Sequence, residues 1–477
     1  MPFLGPKLLL FSGWLLLGLW PVMATADDLD AILDGFGDGV TAESSGDLDD
    51  ALGGFGDDTG VAGNTSGLVA ADHLPEWLKL SGGLSLPVSY NFSHHRPDPG
   101  TTDHRGFSKL RTSVDLDADV KLGGDWLARL GGKAFYDAVY SLRDRQEYSD
   151  QVLDEYEDEW QITEAYIQGS PGDNLDVKLG SQIVVWGKSD NIRVTDILNP
   201  LDNREPGLVD IRDLRQPVAM SKVDYYLGDW NVSGIISHEL RFHKVPVFGN
   251  DFYPAPMPAP SEEKYSVGWD NQEFALAANG IFQGWDLSFY GGYLYEDQSH
   301  LEMASSGPVL THSRIGMLGS ALNIAKGNWL LKGEAAYLDG LEYSIDVGKK
   351  NRLDALLGAE YQGFSETVVS LELVNRHIMA FDDRLEKAPV YERQDEFQYV
   401  LRISRDLYHD TLQLTALFST YGVTGNGGAF QRFTAVYDWT DAITMTVGLI
   451  AYQDGDKAMF QDISDNDRLF CELRYSF

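Results

Sequence analysis

Apolar residues fall at every second position in many short stretches of this chain. In 114–122, Val114, Leu116, Ala118, Val120 and Leu122 alternate with Asp115, Asp117, Asp119 and Lys121. In 175–185, Leu175, Val177, Leu179, Ile183 and Val185 share a face opposite Asp176, Lys178 and Gln182. Leu331, Ala335 and Tyr337 oppose Lys332 and Glu334, and Phe397, Tyr399, Leu401 and Ile403 oppose Gln398, Arg402 and Ser404. Counting back from the C-terminus, Phe477, Tyr475, Leu473, Cys471 and Leu469 lie on one side, with Ser476, Arg474, Glu472, Phe470 and Arg468 on the other. A period of two is that of a β-strand with one apolar and one polar face.

A soluble sandwich contains similar strands, so the connections must discriminate. Short turns fall near 124–125, 172–174, 228–229, 284–286, 327–328, 364–367, 409–411 and 440–442, and long loops alternate with them. Most of the turns contain Gly, Asp or Asn, which tolerate the backbone of tight hairpins. Five are flanked by tryptophan: Trp126, Trp230, Trp285, Trp329 and Trp439. A membrane barrel has a reason to repeat Trp at one end of successive hairpins, because an aromatic girdle sits at the headgroup level. The pattern predicts an all-β fold, a transmembrane antiparallel β-barrel of roughly 18 strands (16–18). It runs from near Trp77 to Phe477. A barrel of that size leaves an aqueous lumen, and the mixed charges on the polar faces predict a wet one. The terminal Phe477, with Tyr475 on the same face, resembles the signal that the barrel-assembly machinery reads.

Three further features fix the compartment. Lys7, the apolar run from Leu8 to Met23 and Ala24-Thr25-Ala26 before Asp27 read as a cleaved signal peptide over 1–26. A membrane anchor is the alternative, but the run is shorter than the ~20 residues of a spanning helix. No later stretch approaches ~18 consecutive apolar residues. A closed barrel is then the remaining way to satisfy the backbone in lipid, in the outer membrane of a Gram-negative cell. The formal charge of −36 excludes nucleic acid as a partner. The lone Cys471 excludes an internal disulfide framework and cysteine-cluster metal sites. No cofactor or metal set is expected.

Residues 27–75, ahead of the barrel at 76–477, are rich in Asp, Gly, Ser and Thr without strand periodicity, and disorder is the expectation. They hold a repeat, DLDAILDGFGD at 28–38 and DLDDALGGFGD at 47–57. Leu29, Ile32, Leu33 and Phe36, then Leu48, Leu52 and Phe55, mark one face of a short helix ended by Gly. So short a helix is not stable alone, and two copies on a tether suit docking into a partner's groove. A diverged spacer is the plainer alternative. The Asp-rich run does not complete an EF-hand loop.

The stretch 180–218 enters through Trp186-Gly187-Lys188-Ser189 and continues as a long loop. It is too apolar for a solvated tail (Ile192, Ile197, Leu198, Leu201, Leu208, Val209, Ile211, Leu214), which predicts a loop folded into the lumen. Its charges, Arg193, Asp196, Asp202, Arg204, Asp210, Arg212, Asp213 and Arg215, are candidates for a selective constriction. Structural salt bridges holding the loop to the wall are the competing reading. A second long loop, about 242–271, carries alternating prolines at Pro254, Pro256, Pro258 and Pro260. An ordinary surface loop is the plainer expectation for it, and a cap over the pore mouth is the alternative.

The WGKS segment, Asn199-Pro200 with Asp202, the following Pro206-Gly207 and the acidic N-terminal repeats together resemble a family of Gram-negative outer-membrane proteins labelled domain of unknown function 1302. The resemblance covers the mature chain in outline and is specific over about 27–60 and 178–220. Lys188 stands where the family pattern suggests an acidic residue. The resemblance implies an accessory barrel to inner-membrane transporters of the resistance-nodulation-division type, handling lipid-like or apolar compounds, and it brings no catalytic residues. The leading expectation is therefore a transport barrel, a channel or export conduit working with a periplasmic or inner-membrane transporter, and not an enzyme. An outer-membrane lipid-modifying enzyme is the alternative, with His94, His95, His104 and His238 present but no G-x-S-x-G elbow. A non-conducting surface barrel is the third.

Overall fold

The computed structural model describes residues 74–477 apart from 98–100, 256, 267, 269–270 and 306. The chain divides into two units, 1–61 and 62–477. The expected signal peptide, the acidic segment and the docking residues Leu29 to Phe55 all lie outside the described residues.

The strands are β1 (Leu78–Asn91), β2 (Gly106–Gly123), β3 (Trp126–Asp137), β4 (Asp158–Gly172), β5 (Leu175–Gln182), β6 (Val218–Leu227), β7 (Trp230–Ser237), β8 (Glu273–Phe282) and β9 (Trp285–Tyr295). After them come β10 (His300–Ala304), β11 (Gly307–Thr311), β12 (Arg314–Lys326), β13 (Trp329–Leu341), β14 (Lys350–Phe364) and β15 (Thr367–Met379). The series ends with β16 (Asp395–Leu407), β17 (Leu412–Tyr421), β18 (Gly428–Thr440), β19 (Ile443–Gln453) and β20 (Arg468–Ser476). Among the described residues three short α-helices lie in the loops: α1 (Val139–Leu142), α2 (Asp150–Tyr156) and α3 (Ile211–Leu214). Eighteen strands form one sheet in which each pairs antiparallel with its chain neighbour. β10 and β11 form a separate hairpin in the loop between β9 and β12.

The sheet closes because β20 pairs with β1, from Gly83 opposite Ser476 to Asn91 opposite Arg468. Gly82 and Phe477 exchange both backbone hydrogen bonds at 3.0 Å and finish the seam. Closure leaves no unpaired edge, which is what lipid demands of a sheet. All eight short turns expected from sequence connect strands at one end of the barrel. By the rule that outer-membrane barrels keep short turns in the periplasm, that end is periplasmic, and β1 begins and β20 ends there.

Outward positions are apolar and exposed along the wall, as alternation predicts. Val114, Leu116, Leu179, Leu331, Leu371, Leu469 and Leu473 are examples, and Cys471 is among them. Trp285, Trp329 and Trp439 are exposed beside their turns, as a girdle at the lipid boundary requires. Inside, the structure corrects one expectation. From β6 round to β17 the inner wall carries a buried apolar sector that includes Met220, Ile235, Ala277, Leu294, Ile315, Met317, Leu338, Leu356 and Val400. Charged side chains share that wall, among them Asp286 of β9, Lys332 and Glu334 of β13, Asp354 of β14 and Glu372 of β15. The physical reason is that a loop packs onto that sector and gives it a dry core.

Candidate functional site

Residues 183–217, between β5 and β6, fold into the barrel and meet its wall on several sides. Val184, Trp186, Ile192, Val194 and Leu198 are buried against the apolar sector. Trp186 stacks on Tyr290 of β9 with centroids 4.7 Å apart. Asn199 ties the two ends of the loop together. Its side-chain oxygen accepts from the Val184 backbone at 2.8 Å, and its amide donates to the carbonyls of Gln182 and Gln216 at 3.1 and 2.8 Å.

Two glutamates on the wall hold the WGKS turn. Glu334 of β13 accepts from the backbone of Lys188 (2.5 Å), Ser189 (2.7 Å) and Thr195 (3.2 Å), and from the Thr195 hydroxyl (2.8 Å). Glu372 of β15 accepts from Ser189 Oγ (2.9 Å) and from the backbone of Asp190 (3.0 Å) and Asn191 (3.1 Å). Lys188 reaches Asp286 of β9 at 2.8 Å, and Lys332 of β13 pairs with Asp190. Gly187 is needed here. Its φ is +87°, and a Cβ would stand 2.8 Å from both Glu334 carboxylate oxygens. Neither glutamate was singled out from the sequence as a loop anchor. The available signal was a carboxylate at an inward position next to Ala336 and Leu338.

The eight candidate constriction charges separate into four groups. Arg193 and Arg215 both pair with Asp196 at 3.3 and 2.8 Å, buried where the loop leaves and rejoins the wall. Arg204 is buried and binds Asp202 (2.5 Å), Glu159 (2.8 Å) and Glu155 (3.5 Å). Asp210 bridges to Arg402 of β16 at 3.3 Å and to Arg432 of β18. Arg212 and Asp213, on α3, pair with each other at 3.7 Å and stay 76% and 61% exposed. Lys133 of β3 is also exposed, opposite Asp115, and its charge and that of Arg432 act on Asp213. Arg212, Asp213 and Lys133 are therefore all accessible to solvent inside the barrel.

The far end of the loop is docked as well. Glu205 meets Lys109 of β2 at 2.5 Å. Burial works to raise the Glu205 carboxyl, but the charges of Lys109 and Arg111 outweigh it and hold the pKa down at about 2. At the Pro206-Gly207 turn, Tyr452 of β19 donates to the Pro206 carbonyl (2.6 Å) and Arg432 donates to that of Gly207 (3.0 Å). The loop thus touches β2, β4, β9, β13, β15, β18 and β19, and it spans the lumen.

A second segment lies over it. Residues 238–253 leave β7 and end against β20 and β19, seven and eight strands away by the shorter way round the ring of 18. Phe252 is buried with Ile450, Tyr452, Phe460 and Ile463. Asp251 pairs with Arg468 at 3.0 Å. This part of the second long loop crosses the mouth as a strap, so the alternative expected above, a cap, describes it better than an ordinary surface loop.

Among the described residues no group of three or more His, Cys, Asp or Glu is placed to hold a metal. His94, His95 and His104 lie at the rim, where His94 meets Asn466 at 3.2 Å and His95 meets Asp465 at 3.3 Å. The Tyr475 and Phe477 rings lie 6.1 Å apart at the periplasmic end.

The model for the family described as protein of unknown function (DUF1302) matches residues 91–477. No curated protein matches. Among solved structures, Acinetobacter baumannii OccAB2 is similar at a TM-score of 0.51 and 9% identity, over 84% of this chain and 98% of that one. OccAB3 from the same organism gives 0.51 at 11% identity, over 84% and 99%. Pseudomonas aeruginosa OccK9 (OpdG) gives 0.50 at 11% identity, over 84% and 98%. At these identities the likeness concerns the fold.

Proposed function

This chain belongs to the DUF1302 family, and from that premise we propose that it is a transport barrel whose throughput is set by the loop 183–217. It is an outer-membrane β-barrel, closed at the β1–β20 seam and banded by lipid-facing apolar residues. The observation that carries the transport reading is a lumen-spanning loop pinned on several walls that still leaves Arg212, Asp213 and Lys133 in water. A structural plug would have no use for open charges on the loop that fills its lumen. Selective pores place them there. Single-channel recording in planar bilayers tests this. A conducting protein whose ion preference changes with Asp213→Asn supports it, and no conductance from wild type or from any loop variant would overturn it.

The finer reading is an apolar or lipid-like cargo handled with a periplasmic or inner-membrane transporter that the repeats at 28–38 and 47–57 recruit. The apolar sector under the loop favours it, because displacing the loop would offer such a cargo a dry wall. Deleting 27–60 is expected to stop transport while leaving barrel insertion intact, and unchanged transport would exclude the docking role.

One observation favours the lipid-modifying alternative. On the outward face at the extracellular rim, Ser221 Oγ lies 2.8 Å from His238 Nε2, and His238 Nδ1 lies 3.2 Å from the Gln272 amide. With the amide oxygen turned toward Nδ1–H, this is the order nucleophile, base, orienting group. No oxyanion donor accompanies it, so it ranks second. Ester hydrolysis by the purified barrel that is lost in Ser221→Ala would raise it.

A further inference from the structure

The strap and the constriction loop meet at two places. At the strap's root, the Leu201 backbone donates to His243 Nδ1 at 2.9 Å. Lys244 donates to the Leu201 carbonyl (3.0 Å) and accepts from Asn203 (2.8 Å), a short stretch of ladder between strap and loop. The Lys244 ammonium pairs with Glu159, the same carboxylate that holds Arg204. Pulling on the strap therefore pulls on 201–204.

At the far wall the two share one residue. The Tyr452 ring packs against Phe252 of the strap, with centroids 5.8 Å apart at 71°. Its hydroxyl donates to Pro206 of the loop at 2.6 Å. Leu208 of the loop packs on the same apolar cluster. The strap tip is fixed alongside. Asn466 donates to the Asp251 carbonyl at 2.8 Å, and the Arg468 guanidinium, itself buried, sits 4.3 Å above the Phe252 ring while binding the Asp251 carboxylate.

We infer that strap and loop form a single gate, with Tyr452 as the coupling residue. Releasing Asp251–Phe252 from the β19–β20 wall frees the Tyr452 ring, which loosens the Pro206-Gly207 turn. An event at the cell surface thereby reaches the constriction. Energetic coupling needs a contiguous chain of packed and hydrogen-bonded groups, and this one is two contacts long at the tip and a backbone ladder at the root. Two independent plugs would have no reason to share a tyrosine. Gating rests on the transport reading above for its purpose, whereas the mechanical coupling does not.

The test is hydrogen exchange on the full barrel in detergent, with planar-bilayer recording on the same samples. The variants are Phe252→Ala, Tyr452→Phe and the double variant, with Phe252→Leu as a control that keeps most of the apolar volume. Phe252→Ala is expected to speed exchange at least tenfold in 201–210 as well as in the strap. Tyr452→Phe keeps the ring and loses the hydroxyl, so it should speed 204–210 and leave the strap protected. The double variant should exceed Phe252→Ala little, as for residues acting in series. Phe252→Leu should restore protection. Faster exchange confined to the strap in Phe252→Ala would overturn the coupling, whatever the conductance does. Coupled exchange with silence from every variant would uphold the coupling and remove the transport reading.

Discussion

Replacing Glu334 by alanine should open the WGKS turn without releasing the loop. The carboxylate accepts four hydrogen bonds, three from backbone N–H groups and one from the Thr195 hydroxyl. A bond to a charged group contributes roughly 1.5–3 kcal/mol and an orphaned buried donor costs about 1–3 kcal/mol, and water entering the opened turn re-pairs part of the set, which leaves a net loss of about 3–5 kcal/mol. The apolar anchors oppose release. Trp186, Ile192, Val194 and Leu198 are each buried, and at roughly 1.5–3 kcal/mol per side chain they retain about 6–12 kcal/mol. Apolar packing wins, so the defect stays local. A loss of about 3–5 kcal/mol at 1.4 kcal/mol per decade predicts exchange faster by roughly two to three and a half powers of ten over 187–196. Protection over 198–217 should change little. The unfolding temperature of the barrel should barely move, since its strand pairing is untouched. Glu334→Gln keeps one acceptor and turns an amide N–H₂ toward the donors, so it should fall between. Hydrogen-exchange mass spectrometry reads all of this. Less than a tenfold increase over 187–196, or an equal increase across the whole loop, would refute the assignment of Glu334 as a local staple.

Other consequences can be measured with the same preparations. Gly187→Ala should reproduce the Glu334→Ala exchange pattern in an intact barrel, because the left-handed backbone alone costs about 1–2 kcal/mol and the new Cβ displaces the carboxylate. Lys133→Glu should shift the reversal potential toward cations. A unit charge about 7 Å from a passing ion is worth about 0.6 kcal/mol in water, so reversing it favours a cation by about sevenfold, disfavours an anion by as much, and changes the permeability ratio by about fiftyfold. Because the folded Glu205 carboxyl is held down at about 2, below its unfolded value of 4.5, its contribution to docking is complete above pH 4.5 and lost as pH falls through about 2. Conductance should therefore be steady from pH 7 to 5 as far as this pair is concerned, and Glu205→Gln should show at pH 7 the looser loop that wild type shows only near pH 2. A variant lacking 191–215 should bind an apolar dye in its lumen, since Met220, Ile235, Ile315, Met317, Leu338 and Leu356 would be left wet; a wider pore with no dye bound would mean that the wall rearranges.

The barrel was legible because lipid imposes the same demand on every strand. An outward residue must be apolar whatever its neighbours do, so Val114, Leu331 and Leu473 announce their faces one strand at a time. The tight turns and their tryptophans repeat for the same reason, and all eight expected turns connect strands. The inner wall obeys no such rule. In β8 and β12, Ala275, Ala277, Ile315 and Met317 point inward while Phe274, Leu276 and Leu318 point outward. A strand apolar on both faces shows no alternation, so an apolar lining cannot be told from a lipid-facing strand by pattern alone.

The loop was legible as a loop and opaque as a set of roles. Its apolar residues predicted folding inward, and Asn199, Pro206 and Gly207 turned out to fix its base and its far turn. Its eight charges read alike in sequence because charge says nothing about a partner. Arg193 and Arg212 differ only in their surroundings, a buried pair with Asp196 for one and an exposed pair with Asp213 for the other. The wall residues that hold the loop, Glu334, Glu372, Arg402, Arg432 and Tyr452, lie up to 246 residues away on strands whose register the sequence does not state. Closure of the barrel is what brings them within reach. The fold therefore had to be known before any charge on the loop could be assigned to structure or to passage, and Arg212 and Asp213 are distinguished from the other six by staying 76% and 61% exposed while paired with each other.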